Sequence, residues 1–435
     1  MATACRLLAA CSIGAACDSA QRLTPPSPGV PYLDDASYRR SDLVASLVNP
    51  ANSYSALRLA HYATGNQDDW DLLPEWNPPA EPIPVTELDA DGGAPGALSD
   101  AAVPLTLPAS VQSADDPALL ALGAQAFARY PAQLAPYFGA ALASRAAATS
   151  YGLWLDDARG VGGLVRARMA DGSVAVALTC STCHAAPGAD GALAPGLPDH
   201  DLNIGAAILD APGSALDAAT ARAVAAWGPG RLDVTTTTGT EPARIPDLRP
   251  AQWLTYLQQD ATLRVVDRTT LAIRIETLLI TSNNEVVRPP RIIALALASY
   301  VASLGAELPS PSVASAISSQ GAAVFVAQCT GCHIPPGLTG APVSLSIIGT
   351  DPTLGLSAVR GTGMYRVPSL HGVGTRGPLL HDGTVPSVES MFDPTRPTPS
   401  FTARLHGSGA VPGHTYGLDL SSDDRSALVD YVNAL

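Results

Sequence analysis

Two pentapeptides of the form Cys-x-x-Cys-His hold the residues best suited to chemistry in this chain. They are Cys180-Ser181-Thr182-Cys183-His184 and Cys329-Thr330-Gly331-Cys332-His333. Their spacing is that of c-type haem attachment: two thiols one helical turn apart add across the vinyl groups of one haem, and the adjoining imidazole reaches the iron. The sequence therefore predicts two covalently attached haem c groups. Cys180, Cys183, Cys329 and Cys332 would carry them, with His184 and His333 as proximal iron ligands. A single four-cysteine zinc site would want the two pairs roughly 12–20 residues apart, and here they are far more widely spaced. A thioredoxin-like disulfide would want a short βαβ context, and none is apparent.

The other three cysteines, Cys5, Cys11 and Cys17, all fall in the first 17 residues. This leaves no structural disulfide for the body of the protein. Residues 1–17 read as a short export signal: Arg6, then a small and apolar stretch from Leu7 to Ala16. Leu8-Ala9-Ala10-Cys11 resembles a bacterial lipobox, and Gly14-Ala15-Ala16-Cys17 is a second site of that kind. Export places the chain in the periplasm, either free or tethered to the membrane as a lipoprotein. No later run has the roughly 18–20 apolar residues of a spanning helix.

The 435 residues carry a formal charge of −14, and every one of the 25 basic residues is arginine. Such an acidic chain argues against nucleic acid and anionic membrane surfaces as partners. It is compatible with small basic redox proteins or quinol-linked electron donors. Abundant alanine and scarce aromatics suit compact helical packing.

The motifs anchor a longer repeat. Upstream, Gly123 and Phe127 match Gly321 and Phe325, each pair four apart on one helix face. After the motifs, Pro187-Gly188 matches Pro336-Gly337. Ile245-Pro246-Asp247-Leu248 matches Val367-Pro368-Ser369-Leu370, and the register runs on to Asp260 against Asp382. Each half closes on the same apolar stripe, Leu297, Tyr300, Val301 and Leu304 against Leu428, Tyr431, Val432 and Leu435. Ser421 or Ser422, with Asp423 and Asp424, supplies a capped acidic start to the last helix.

The predicted fold is mainly α: two cytochrome c-like haem domains related by internal duplication, plus an N-terminal extension. The first domain would span 116–304 and the second 310–435, joined by a linker at 307–312. Residues 18–115 would form the extension, with a turn at Asn49-Pro50, a helix through Leu57–Tyr62, and a Pro/Ala/Gly-rich connector without periodicity over 78–108. The first half is longer, through an insert holding Tyr151-Gly152-Leu153-Trp154 and the glycine-rich run 159–163.

This layout resembles the bacterial di-haem cytochrome c peroxidase and MauG superfamily. The resemblance covers residues 116–435 and is most specific from Val367 through His381-Asp382-Gly383-Thr384-Val385-Pro386-Ser387. It implies two mostly helical haem domains, one haem for electron transfer and the other meeting peroxide, oxygen or substrate. The chain departs from the peroxidases where they carry a Trp-Asp-Gly-Arg run, for it reads Gln259-Asp260-Ala261-Thr262. It also has no equivalent of their acid–base glutamate; Glu276 and Glu285 read as surface carboxylates. The ending Gly413-His414-Thr415-Tyr416-Gly417 resembles the di-haem rubber-oxygenase type, in which a histidine of that run closes the second haem.

His414 is accordingly the first choice for the sixth ligand of the second haem, flanked by Gly413 and Gly417, which permit close backbone approach. Met391 and Met364 are its rivals. His381 either meets a haem propionate, lies between the haems, or is structural. Arg366 and Arg376 are natural propionate partners. For the first haem no sixth ligand is evident. His200 reads as a solvated loop histidine, Met169, Tyr151 and Trp154 as pocket-lining groups, and Trp227 as a core or interhaem aromatic. Two functions follow. One is an exported di-haem oxidoreductase, peroxidase-like or oxygenase-like, whose second haem transfers electrons while its first performs peroxide or oxygen chemistry. The other is a non-catalytic electron carrier with both haems saturated.

Overall fold

The computed structural model describes residues 30–89, 96–169, 171–233, 241–308 and 319–435. The leader, with Cys5, Cys11 and Cys17, and residues 309–312 of the linker lie outside the described residues.

The same helix contact is built twice. Gly123, on the helix Pro117–Arg129, faces the helix Arg291–Ser303, where a Cβ would run into the carbonyl of Ala296 and lie 2.6 Å from Tyr300 Cβ. Gly321, on Ser319–Gln328, faces Ser422–Asn433, where a Cβ would run into the carbonyl of Ala427 and lie 2.8 Å from Tyr431 Cβ. Only glycine lets two helix backbones approach so closely. One turn on, Phe127 meets Tyr300 at 5.4 Å between ring centroids, and Phe325 meets Tyr431 at 5.3 Å. The last helix starts as its sequence requires: the Ser421 side chain accepts from Asp424 N, with Asp423 and Asp424 in the first turn.

The N-terminal segment is part of the first helical core. Helices Ala36–Ser46 and Ser53–His61 bring Leu43, Tyr62 and Trp70 into one cluster with Leu119, Phe127, Ile280 and Leu297. The predicted helix through Leu57–Tyr62 starts earlier and ends at His61, because Asn52 caps it through Ser55 N. This packing corrects the reading of Glu276 as a surface carboxylate. Glu276 is 1% exposed and accepts from the hydroxyls of Tyr32 at 2.7 Å and Tyr62 at 2.6 Å, with Arg291 Nε at 3.3 Å. Glu285 is half-buried and accepts from Trp70 Nε1 at 3.3 Å.

The segment also reaches the second half. Tyr54 N donates to Val359 O at 2.8 Å, and Asn49 Nδ2 donates to Gly361 O at 2.9 Å.

Small antiparallel sheets supplement the helices. The largest orders Ala80–Pro82, Leu164–Arg168, Val174–Leu178 and Gln133–Leu134 side by side. Thus the connector expected to be irregular contributes an edge strand, and the insert in the first half contains the β-hairpin Leu164–Arg168 with Val174–Leu178. Its apolar side packs with Phe138, Leu202, Trp227 and Ile245, and against Cys183. The second half has its own core around Phe325, Met391, Phe392, Leu428 and Tyr431, with Cys329 against it. Among the described residues no helix is long and apolar enough to cross a membrane.

Candidate cofactor site

Each Cys-x-x-Cys-His motif forms one helical turn. Cys180–His184 is capped by Thr179, whose side chain pairs reciprocally with Thr182. The hydroxyls of Thr179 and Thr182 donate to Gly163 O at 2.8 and 3.0 Å. The glycine-rich run is therefore the seat of the first motif, and Gly163, at φ 64°, has no room for a side chain against Ser181. In the second motif, Cys332 N and His333 N both donate to Cys329 O, at 3.1 and 2.9 Å.

Both motif histidines are held the same way. His184 Nδ1 donates to Pro246 O at 3.0 Å, and His333 Nδ1 donates to Leu338 O at 3.0 Å. A carbonyl on Nδ1 fixes the tautomer and leaves Nε2 unprotonated with its lone pair free, the usual setting of a metal-bound imidazole. Burial pushes the pKa of each down to about 4, which keeps both rings neutral as metal ligation requires. Burial also pushes the thiols of Cys180 and Cys183 up to about 12 and that of Cys329 to about 11. Such thiols are poorly suited to disulfide exchange at neutral pH. Among the described residues no three His, Cys, Asp or Glu side chains converge as a metal cage.

A cavity of about 370 Å³ opens over the second motif, lined by Cys329, Cys332 and His333 and walled by apolar groups such as Phe325, Leu370, Val388 and Val432. His414 stands across from His333, with 6.5 Å between ring centroids and planes inclined at 59°. A metal held at about 2 Å by one nitrogen of each of two imidazoles separates the ring centroids by roughly 6 Å. The separation of His333 and His414 is close to that value. His414 Nδ1 is buried with no hydrogen-bond partner in the protein.

The loop carrying His414 is built around close contacts. Gly413 has φ 76°, and a Cβ there would meet the backbone of Gly349 and Thr350; His414 itself is left-handed at φ 43° and donates from N to Ile348 O at 2.7 Å. Arg396, fully buried, was not singled out in the sequence. Its guanidinium donates to the carbonyls of Met391 at 3.0 Å, Val411 at 2.9 Å and His414 at 2.7 Å. Nothing in the sequence pattern marks it, since its partners are all backbone oxygens.

Of the rival ligands, Met391 lines the cavity, while Met364 lies in the strand Met364–Val367, paired with Ser344, and does not. His381 lines the cavity and stacks on Tyr365 at 4.1 Å. Arg366 and Arg376 line it as expected, joined by Arg244 from the first half. Arg244 donates from Nε to Leu380 O at 2.7 Å, and Arg376 Nη2 donates to Ser369 O. Arg244 Nη1, Arg366 Nε and Arg376 Nε are buried without hydrogen-bond partners. Burial lowers all three pKa values to about 10, so each remains a cation at neutral pH. Buried cations with unmet N–H groups fit a ligand bearing carboxylates.

The first motif lacks such an opposing ring: among the described residues none faces His184 as His414 faces His333. His200 is not the solvated histidine expected. Both its ring nitrogens are shut off from solvent, and burial pushes its pKa to about 4. Trp227 belongs to the same apolar core as Cys183. Trp154 is buried, Tyr151 donates to Asp210 at 2.8 Å, and Met169 sits in the turn of the β-hairpin.

No family model matches the chain, and no curated protein matches it. Among solved structures it is similar to a MauG-like protein associated with microbial copper homeostasis. The identity is 16%, the TM-score 0.34, and the match covers 48% of this chain and 78% of that one.

Proposed function

We propose that this chain is an exported di-haem c-type cytochrome of the oxidoreductase class, with its two haem domains arisen by duplication. The observation that carries the reading is the pair His333 and His414, set 6.5 Å apart across a cavity that also presents Cys329 and Cys332. The repeated contacts of Gly123 and Gly321 support the duplication.

When bound, haem supplies one-electron redox chemistry and, at an iron with an open position, reaction with peroxide or oxygen. The residues then divide the work. Cys329 and Cys332 anchor the second haem, His333 and His414 saturate its iron, and Arg244, Arg366 and Arg376 face its carboxylates. Cys180, Cys183 and His184 would hold the first haem, which meets no opposing histidine among the described residues and is the one assigned to peroxide or oxygen. A small redox protein or a quinol-linked donor in the periplasm would supply the electrons, with the chain either free there or held by a lipidated leader cysteine.

A second reading, an electron carrier with both irons saturated, draws on Glu276. Tied to Tyr32, Tyr62 and Arg291, this carboxylate is not free to act as an acid–base group. EPR of the fully ferric and the half-reduced protein, with haem content from pyridine haemochrome, separates the two. A high-spin signal in either state supports the enzyme; low-spin signals alone when ferric, with no high-spin signal on half-reduction, support the carrier. Absence of covalent haem overturns both.

A further inference from the structure

His414 differs from the two motif histidines in how its ring is held. His184 Nδ1 and His333 Nδ1 each donate to a backbone carbonyl at 3.0 Å, whereas His414 Nδ1 is buried without a hydrogen-bond partner. With its Nε2 on a metal, the other end of this ring has no anchor. Removing such an outer partner typically costs roughly 10–100-fold in metal affinity. The residue is fixed through its backbone instead, which is left-handed at φ 43° and is gripped at His414 O by Arg396. That conformation is unfavourable for any residue but glycine. His414 is therefore set across from His333 by its loop, and its ring is free to leave.

A second metal-binding side chain stands beside it. Met391 is 7% exposed, ends the short helix Val388–Met391, and lines the same cavity as His333 and His414. Arg396 Nε donates to Met391 O at 3.0 Å, while Nη2 of the same guanidinium donates to His414 O at 2.7 Å. One planar group thus holds the two backbones side by side, and both side chains reach one cavity. Methionine is unbranched with three rotatable bonds, so its thioether can swing while its backbone stays fixed. Met364 does not line this cavity, and Met169 sits in the hairpin turn of the first half.

The two donors favour different oxidation states. A thioether in place of an imidazole raises a haem's potential, which by linkage means that ferrous iron gains more from the exchange than ferric iron does. We propose that His414 and Met391 are alternative sixth ligands of the second haem, His414 when the iron is ferric and Met391 when it is ferrous. The proposal deepens the di-haem reading and rests on it. One electron arrives from the small redox protein or quinol-linked donor, the bond to the His414 nitrogen breaks, and a bond to the Met391 sulfur forms. No proton or other group is transferred, and oxidation reverses the exchange. The electron is thereby accepted at the lower potential of the two-histidine site and kept at the higher potential of the histidine–methionine one.

The test uses the full chain matured with haem, as wild type, M391L, M364L and M169L, each also with Cys180→Ala and Cys183→Ala so that the second haem is observed alone. Near-infrared magnetic circular dichroism of the ferric protein separates two-imidazole from imidazole–thioether ligation. Proton NMR of the dithionite-reduced protein shows an iron-bound methionine as a methyl resonance shifted far upfield. The expected result is two-imidazole ligation in the ferric second haem and an upfield methyl signal on reduction, kept by M364L and M169L and lost in M391L. The midpoint of the second haem should fall in M391L by about 59 mV for each tenfold of ferrous stabilisation removed. Should M391L fail to hold haem, a signal kept by both M364L and M169L still belongs to Met391, since the fourth methionine is Met1. No bound methionine in the reduced wild type, a signal that survives in M391L, or thioether ligation already present in the ferric state would overturn the exchange. A wild-type protein without covalent haem would instead overturn the di-haem reading.

Discussion

Arg396 holds His414 by its backbone, its Nη2 donating to His414 O at 2.7 Å while the same guanidinium binds the carbonyls of Met391 and Val411. The imidazole is thereby aimed by a group that never touches it. Arg396→Lys cannot serve three carbonyls from one planar fork. It is expected to cost about 2 kcal/mol of stability from the carbonyls left unpaired. In the haem-loaded protein it should convert part of the second haem's ferric signal from low to high spin. His414→Ala should convert all of it, and EPR beside thermal unfolding checks both.

Gly123→Ala and Gly321→Ala should be comparably harmful, each driving a methyl into a backbone carbonyl of the facing helix. Overpacking of this kind costs about 1–3 kcal/mol. Denaturant midpoints of the two variants would test it; an effect confined to one half would argue that the two contacts are not equivalent.

Glu276→Gln keeps the shape, and its amide oxygen can still accept from Tyr32 and Tyr62, but its NH2 then faces Arg291 Nε, donor against donor, and the charge that offset the arginine is gone. Breaking a buried pair on one side costs roughly 3 kcal/mol. Because the tyrosines belong to the N-terminal segment, limited proteolysis should cut residues 30–62 sooner in this variant, ahead of global unfolding.

Asp42 gives a pH prediction. Burial, and then the charge of Asp267, push its pKa from an ordinary 3.8 up to about 7. Between these values the folded chain binds a proton that the unfolded chain has released. Asp42's contribution is thus fully present below about pH 4 and is lost as pH rises towards 7, a change of at most about 4 kcal/mol. Asp42→Asn should flatten that part of the stability profile, measured by thermal unfolding from pH 4 to 7.

What the sequence reveals here depends on where the determinants sit. Gly123, Phe127 and Tyr300 lie on regular helices whose spacing shows the buried face directly, and the contacts of Gly321, Phe325 and Tyr431 follow from the repeat. The Ser421 cap is equally local. Glu276 was misjudged because its cover comes from Tyr32 and Tyr62, 244 and 214 residues away. The strand Ala80–Pro82 was missed because it forms by pairing with Leu164–Arg168, not from its own propensity. Arg244 and Arg396 bind backbone oxygens, Arg244 that of Leu380 in the other half, a role that leaves no mark in local pattern.

The bonds from Tyr54 N to Val359 O and from Asn49 to Gly361 join points about three hundred residues apart, with separation 312 for the latter. During synthesis, both Cys-x-x-Cys-His turns emerge before the stretch 358–361 to which residues 49–54 attach. The N-terminal helices can therefore meet their earlier partners first, but they cannot be fastened across to the second half until both thiol pairs have left the ribosome. Final closure of the molecule therefore waits on the residues made last among those it joins, the stretch that pairs with residues 49–54.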